Sequence, residues 1–333
     1  MTSEKSQAIT SQNTDKKSLQ ILAMTGMQDM ATVAMAIRLG MGALFIAGGW
    51  NKLSKLLFPG SSEQLVASYT STTGYINEFF MVWLFGPGSI LTPWAFLTTL
   101  STFELITGIM LVAGLLVRPV ALIYAFLLWS FVIALPVVTT NGIDPGVKTY
   151  MAPAILVQIR DVALSGMMFA LYGLGSGHNA LDRRLFGDVA LKSVMDWETA
   201  GVLLRLSLAS VFIVGGAFAG MPNIKSFLEP GFILVAIGVA MLWGGTVSRY
   251  AAIAACVVLI IYMFNKIGFS KGLVGSLNAI KREIALFAVA VVISMRGSGV
   301  LWGVPDVWQR MLSGIQAAKQ NAARTPDISG QST

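Results

Sequence analysis

The chain is poor in the residues that most often carry redox or metal chemistry. It has one cysteine, Cys256, and one histidine, His178, among 333 residues. One cysteine excludes an internal disulfide, a CxxC pair and a haem-attachment motif. With one histidine as well, a transition-metal site made by this chain alone is not expected. Charge is scarce too: Asp, Glu, Lys and Arg make up 12% of the residues, while hydrophobic residues make up 55%. Soluble domains carry about 25% charged residues. A water-soluble enzyme is therefore excluded in favour of an all-α, polytopic membrane protein. In that setting the net charge of +7 records Lys and Arg flanking membrane helices, and nucleic acid is not an expected partner.

What is present is a set of long apolar runs. A span needs ~20 mostly apolar residues. Eight segments are candidates: 32–52, 93–116, 119–138, 153–174, 199–219, 230–247, 250–266 and 275–296. Arg118–Pro119 and Arg249 mark tight turns within two of the hairpins. Residues 1–30 are polar and lack the pattern of a cleaved signal peptide. Residues 301–333 read as a second polar tail. With the N-terminus inside, twelve Lys and Arg fall on the inner side and six to eight on the outer side, so both termini are expected in the cytoplasm. The long segment 53–92 between the first two spans then lies outside. Its stretch "INEFFMVWLF" reads as a short interfacial helix, either resting on the membrane surface or forming a lid over an outward-facing site.

The two halves resemble each other. "RLGMGALFIAGGW" from Arg38 aligns without gaps with "RLSLASVFIVGGA" from Arg205. "IRDVAL" from Ile159 aligns with "KREIAL" from Lys281, and both run on to a GSG. The expected architecture is thus two tandem four-helix bundles, 31–187 and 198–300, running in the same direction. Only the first has the outer loop, and Glu104 has no acidic counterpart in the second.

Buried charge marks the candidate chemistry. Arg38, Glu104, Arg160 and Asp161 all fall inside apolar spans, where each charge costs at least ~2.5 kcal/mol on insertion scales unless it finds a partner or a water pocket. Counting at 1.5 Å per residue puts Glu104 ~16 Å and Arg160 and Asp161 ~10–12 Å from the outer side, so Glu104 is expected to reach Arg160 or Arg38. One reading is a charge network that fixes helix register. The other is a polar chamber in which an arginine grips an acceptor and a carboxyl moves protons. Tyr124 and Trp129 on the third span are candidates to line a flat-ring site, and Lys52, Asn51 and Lys148 to meet an anion from outside.

The motifs "RLGMGALFIAGGWNKL", "FELITGIMLVAGLLVRPVALIYAFLL" and "IRDVALSG" resemble the DoxX/DoxD superfamily. The first unit is most similar to DoxD, the membrane subunit of thiosulfate:quinone oxidoreductase, and the second to a divergent DoxX-like repeat. The resemblance implies a four-helix bundle in a bacterial or archaeal cytoplasmic membrane. It also implies oxidation of thiosulfate to tetrathionate, with quinone as the acceptor. No counterpart of the soluble DoxA region follows. The alternative is a non-catalytic anchor or assembly subunit holding a soluble or membrane redox partner.

Overall fold

The computed structural model describes residues 30–72, 74–76, 78–135, 154–218, 231–268 and 272–324. All regular structure in them is helical. The helices are α1 (Met30–Leu56), α2 (Pro59–Tyr69), α3 (Glu78–Phe85), α4 (Pro93–Ala113), α5 (Val117–Ala134), α6 (Ala154–Leu174), α7 (Leu181–Phe186), α8 (Trp197–Ala217), α9 (Phe232–Leu242), α10 (Gly245–Lys266), α11 (Gly272–Arg296) and α12 (Val304–Arg324). A 3₁₀ turn, Gly187–Leu191, follows α7.

Six of these, α1, α4, α5, α6, α8 and α10, are long and apolar enough to cross a membrane. The protein is a polytopic, all-helical membrane protein in contact with lipid. The sequence suggested eight spans, and the other two differ for identifiable reasons. Helix α9 is described over only 11 residues, ~16 Å at helical rise. Helix α11 has 25 residues but carries Lys281, Arg282 and Glu283 in its middle. It packs along α10 and touches α6 and α8, so this charge faces protein.

Local chemistry sets the helix ends. Thr92 caps α4, its Oγ1 accepting from Ala95 N at 3.2 Å, with Pro93 at the first helical position. Gly114 ends α4 at φ 72°. Its N–H and that of Leu115 donate back to Leu111 O and Met110 O, closing the last turn. Arg118 and Arg249 were expected inside the turns. They lie instead within α5 and α10, Arg118 in the first turn and Arg249 at the start of the second, because the chain reverses earlier, at Gly114 and Gly244. Pro119 is tolerated there since the first backbone N–H groups of a helix have no internal partner.

Close approach of backbones holds α1 on α4. A side chain at Gly42 would meet Gly108 O at 3.0 Å, and one at Gly49 would meet Ser101 O at 2.8 Å. On α9, Gly238 presses on α8 at Ala209 O, 2.9 Å, the position aligned with Gly42. Small residues at such crossings let membrane helices pack without a hydrophobic driving force between them. Tyr124 of α5 is fully buried, stacks on Phe45 with ring centroids 3.6 Å apart, and shares a hydrogen bond with Thr107 Oγ1 at 2.6 Å. Helix α6 touches both α5 and α8 and joins the two halves.

Segment 53–92 holds more structure than its sequence suggested. Helix α3 falls on the expected aromatic stretch. Helix α2 was unforeseen, although Pro59 at its start followed by "SSEQLVASY" fits a helix N-terminus. At the other end of the chain, residues 304–324, read from sequence as tail, form α12.

Candidate functional site

A cavity of about 330 Å³ opens between α1, α4, α5 and α6. Leu44, Phe45, Leu97, Leu100, Leu128 and Phe131 make its apolar wall. Tyr69 of α2, Tyr75, and Phe80 and Leu84 of α3 also line it. Residues of segment 53–92 therefore form part of the cavity lining.

The polar floor joins residues from both halves. Lys52 Nζ lies 2.6 Å from Glu104 Oε2, with both side chains mostly buried. Arg282 Nη2 lies 3.7 Å from Asp161 Oδ1, and Tyr75 donates its hydroxyl to Asp161 Oδ2 at 3.5 Å. Lys281 Nζ donates to Asn278 Oδ1 at 2.9 Å. The lining thus contains three basic side chains, Lys52, Lys281 and Arg282, beside two carboxyl side chains, Glu104 and Asp161. Gly48 opens the space between them, since a Cβ there would stand 3.0 Å from Lys281 Nζ and 3.6 Å from Glu104 Oε2.

Behind this floor Arg160 turns the other way. Its Nη1 lies 3.5 Å from Glu283 Oε1, which also accepts from Lys266 Nζ at 2.9 Å. Its Nε donates to Leu156 O at 2.8 Å. Adjacent helical residues differ by about 100° in direction, so Asp161 meets the cavity while Arg160 meets α10 and α11. The two aligned motifs therefore exchange partners: each arginine faces the acid of the other half.

The expected site is thus assembled in part. Glu104, Asp161 and Lys52 are brought together. Glu104 pairs with Lys52, however, and not with Arg160 or Arg38. Depth along a helix can be counted from sequence, but the direction a side chain faces depends on the packing. Arg38 is 14 residues from Lys52 on α1, ~21 Å along the axis. It lies at the opposite end of the bundle, where its Nη2 donates to His178 O at 2.8 Å. Arg205 repeats this in the second half, with Nη2 donating to Leu301 O at 2.6 Å. Trp129 is 42% exposed on the outside of α5, and Tyr124 sits behind Phe45, so neither lines the cavity. Asn51 does not line it either, and Lys148 falls outside the described residues.

Lys281 and Arg282 were missed as site residues because their position placed them near a surface. The signal was present: Arg282 aligns with Arg160, itself inside a span. Lys52 was assigned to the outer loop side, yet Leu44, Gly48 and Lys52 share the i, i+4, i+8 spacing of one helix face.

Residues 33–136 match the DoxX family model. The match runs from α1 to the end of α5 and so contains Lys52, Glu104 and most of the cavity wall. It does not reach α6 or the second half. No curated protein and no solved structure matches the chain.

Proposed function

We propose that this protein is the membrane subunit of a quinone-linked oxidoreductase and that the cavity receives the quinone. One observation carries the reading: an apolar, aromatic chamber in a membrane protein closes onto a floor with two carboxylate–cation pairs. Its volume suits a small-molecule site, which is about 300–1,000 Å³ with mainly apolar walls and a few convergent polar groups. Lys52, Lys281, Arg282 and the Tyr75 hydroxyl supply donors for quinone oxygens. Glu104 and Asp161 supply carboxylates at which protons can be held or moved.

When bound, quinone supplies a two-electron acceptor: two thiosulfate ions yield tetrathionate and two electrons, and two protons complete the quinol. The chain's own part is positional and electrostatic. Lys52 fixes the Glu104 carboxylate, Arg282 and Tyr75 fix that of Asp161, and Phe80 and Leu84 shield the floor from water. Thiosulfate as donor rests on the resemblance of the first half to DoxD. The reading includes a cytoplasmic membrane with both termini inside, and a tandem duplication. The aligned Arg38 and Arg205 interactions, the shared Gly42/Ala209 crossings and the exchanged arginine–acid pairs support the duplication.

The test is thiosulfate-dependent reduction of decylubiquinone by the purified chain in nanodiscs, together with binding of the quinone alone. The expected result is saturable binding and turnover, with turnover lost in Glu104→Gln while the protein still accumulates. Absence of both, together with stoichiometric co-purification of a soluble redox protein, would favour a non-catalytic anchor.

A further inference from the structure

Helix α12 packs against almost nothing in the described chain. Val304, Val307, Trp308, Met311, Leu312 and Ile315 are each between 42% and 57% exposed. At 100° per residue they fall on one side of the helix. Asp306, Gln309, Arg310, Ser313 and Gln316 occupy the other side. In proteins most of a helix's stability comes from covering its apolar face rather than from propensity.

The start of α12 is fixed to the bundle. Val304 N donates to Trp243 O at 3.1 Å and Trp302 N to Asp306 Oδ2 at 2.9 Å. This junction lies at the end of the bundle where α9 and α11 finish. Val194 N donates to Gly173 O at 2.9 Å, and Arg296 sits over the Trp197 ring at 4.6 Å, so the close of α6 lies at the same end. There the first half also leaves apolar side chains uncovered: Leu185, Phe186 and Val189 are 64%, 57% and 72% exposed. Two separate segments thus present large apolar residues where membrane helices emerge.

We infer that α12 lies in the plane of the membrane, its apolar face sunk into the headgroup–acyl boundary of the leaflet at which α6 and α11 end. The apolar phase nearest to that junction is the bilayer itself. Trp302 and Trp308 suit the headgroup level, where the indole ring meets lipid and its N–H meets water. Apolar residues on one side and charged or amide residues on the other are the composition of a helix lying in that interface. The segment after α6 shares the same boundary.

The test uses the full chain with Cys256→Ala, so that single introduced cysteines can carry a spin label. Labels are scanned through positions 304–316 in nanodiscs of phosphatidylcholine with one quarter phosphatidylglycerol. Accessibility to oxygen is expected to peak at 304, 307, 308, 311, 312 and 315. Accessibility to a water-soluble nickel complex is expected to peak at 309, 313 and 316, out of phase and with a 3.6-residue period. Trp308→Asp combined with Leu312→Asp should raise nickel access along the remaining apolar positions several-fold. High nickel access at every position in the parent protein would overturn the inference. So would apolar positions closed to both reagents, which would place protein on that face: a second copy or another part of this chain.

Discussion

The Arg160 guanidinium of the first half lies 3.5 Å from Glu283 of the second. The arrangement is returned from the other side by Arg282, 3.7 Å from Asp161. Reciprocal contacts of this type, in which i meets j and j meets i, characterise a two-fold interface. Here both partners belong to one chain. Opposed charge between α6 and α11 therefore ties the halves together at the level of the cavity floor.

Loss of Glu283 should be costly. Glu283→Ala leaves Arg160 and Lys266 without their shared carboxylate in a buried setting, and breaking such a pair costs about 3–5 kcal/mol. The expected outcome is a large drop in unfolding midpoint in detergent. Glu283→Met with Arg160→Met and Lys266→Met should recover most of the loss, since an apolar replacement leaves no charge stranded. Equal damage in the single and triple variants would show that packing, not charge, holds this junction.

Lys52 and Glu104 should behave as one unit. Lys52→Met and Glu104→Gln are each expected to reduce quinone-linked turnover at least tenfold. The double variant should be no worse than either single one, because contacting residues do not add. Turnover measured in the four proteins of the cycle decides the matter. Additive losses would mean that the two side chains act separately.

The turns at Gly114 and Gly244 should resist substitution. Both have positive φ, 72° and 83°. A Cβ at Gly244 would also stand 2.7 Å from Arg205 Nη1, and one at Gly114 would collide with Arg38 Nη1. Gly187 has φ 67° with open space around it and serves as the control. Gly187→Ala should cost the backbone strain alone, about 1–3 kcal/mol. Gly114→Ala and Gly244→Ala should cost clearly more, read as thermal midpoints in one detergent.

The start of α12 should depend on acidity. Arg310, and then the Trp302 backbone N–H, hold the Asp306 carboxyl below its usual value of 3.8. A depressed folded-state value means that the carboxylate supports the helix start at pH well above 3.8. That support fades as pH falls through the folded value. Amide hydrogen-exchange protection at residues 302–310, taken relative to the intrinsic exchange rate at each pH, should therefore fall at low pH. Asp306→Asn should show the low protection already at neutral pH.

Much of the framework could be read from the chain itself. Apolar run lengths located the six spans to within a few residues, and the aligned Arg38 and Arg205 do meet like partners, although these are backbone carbonyls and not the Glu104 expected for Arg38. The site was only partly legible. Counting residues gives how deep Glu104 and Arg160 sit, but the direction each faces is set by how α1, α4 and α6 roll against one another. Glu104 accordingly found Lys52, one turn inside the end of α1. The roles of Lys281 and Arg282 depend on contact between halves that are distant in the sequence, as Arg282 is from Asp161, which no local pattern expresses. Trp129 has the composition of a ring-binding residue, but its place on α5 turns it outward.

The floor of the chamber is built from borrowed parts. A polypeptide ending before α11 would still form the walls and the aromatic roof, yet it would lack both Lys281 and Arg282. Asp161 would then keep the Tyr75 hydroxyl but lose its Arg282 partner, leaving Lys52–Glu104 as the one ion pair of the floor. Expression of the first segment by itself should yield a shell without function, and co-expression of the two severed pieces should regenerate the working vessel.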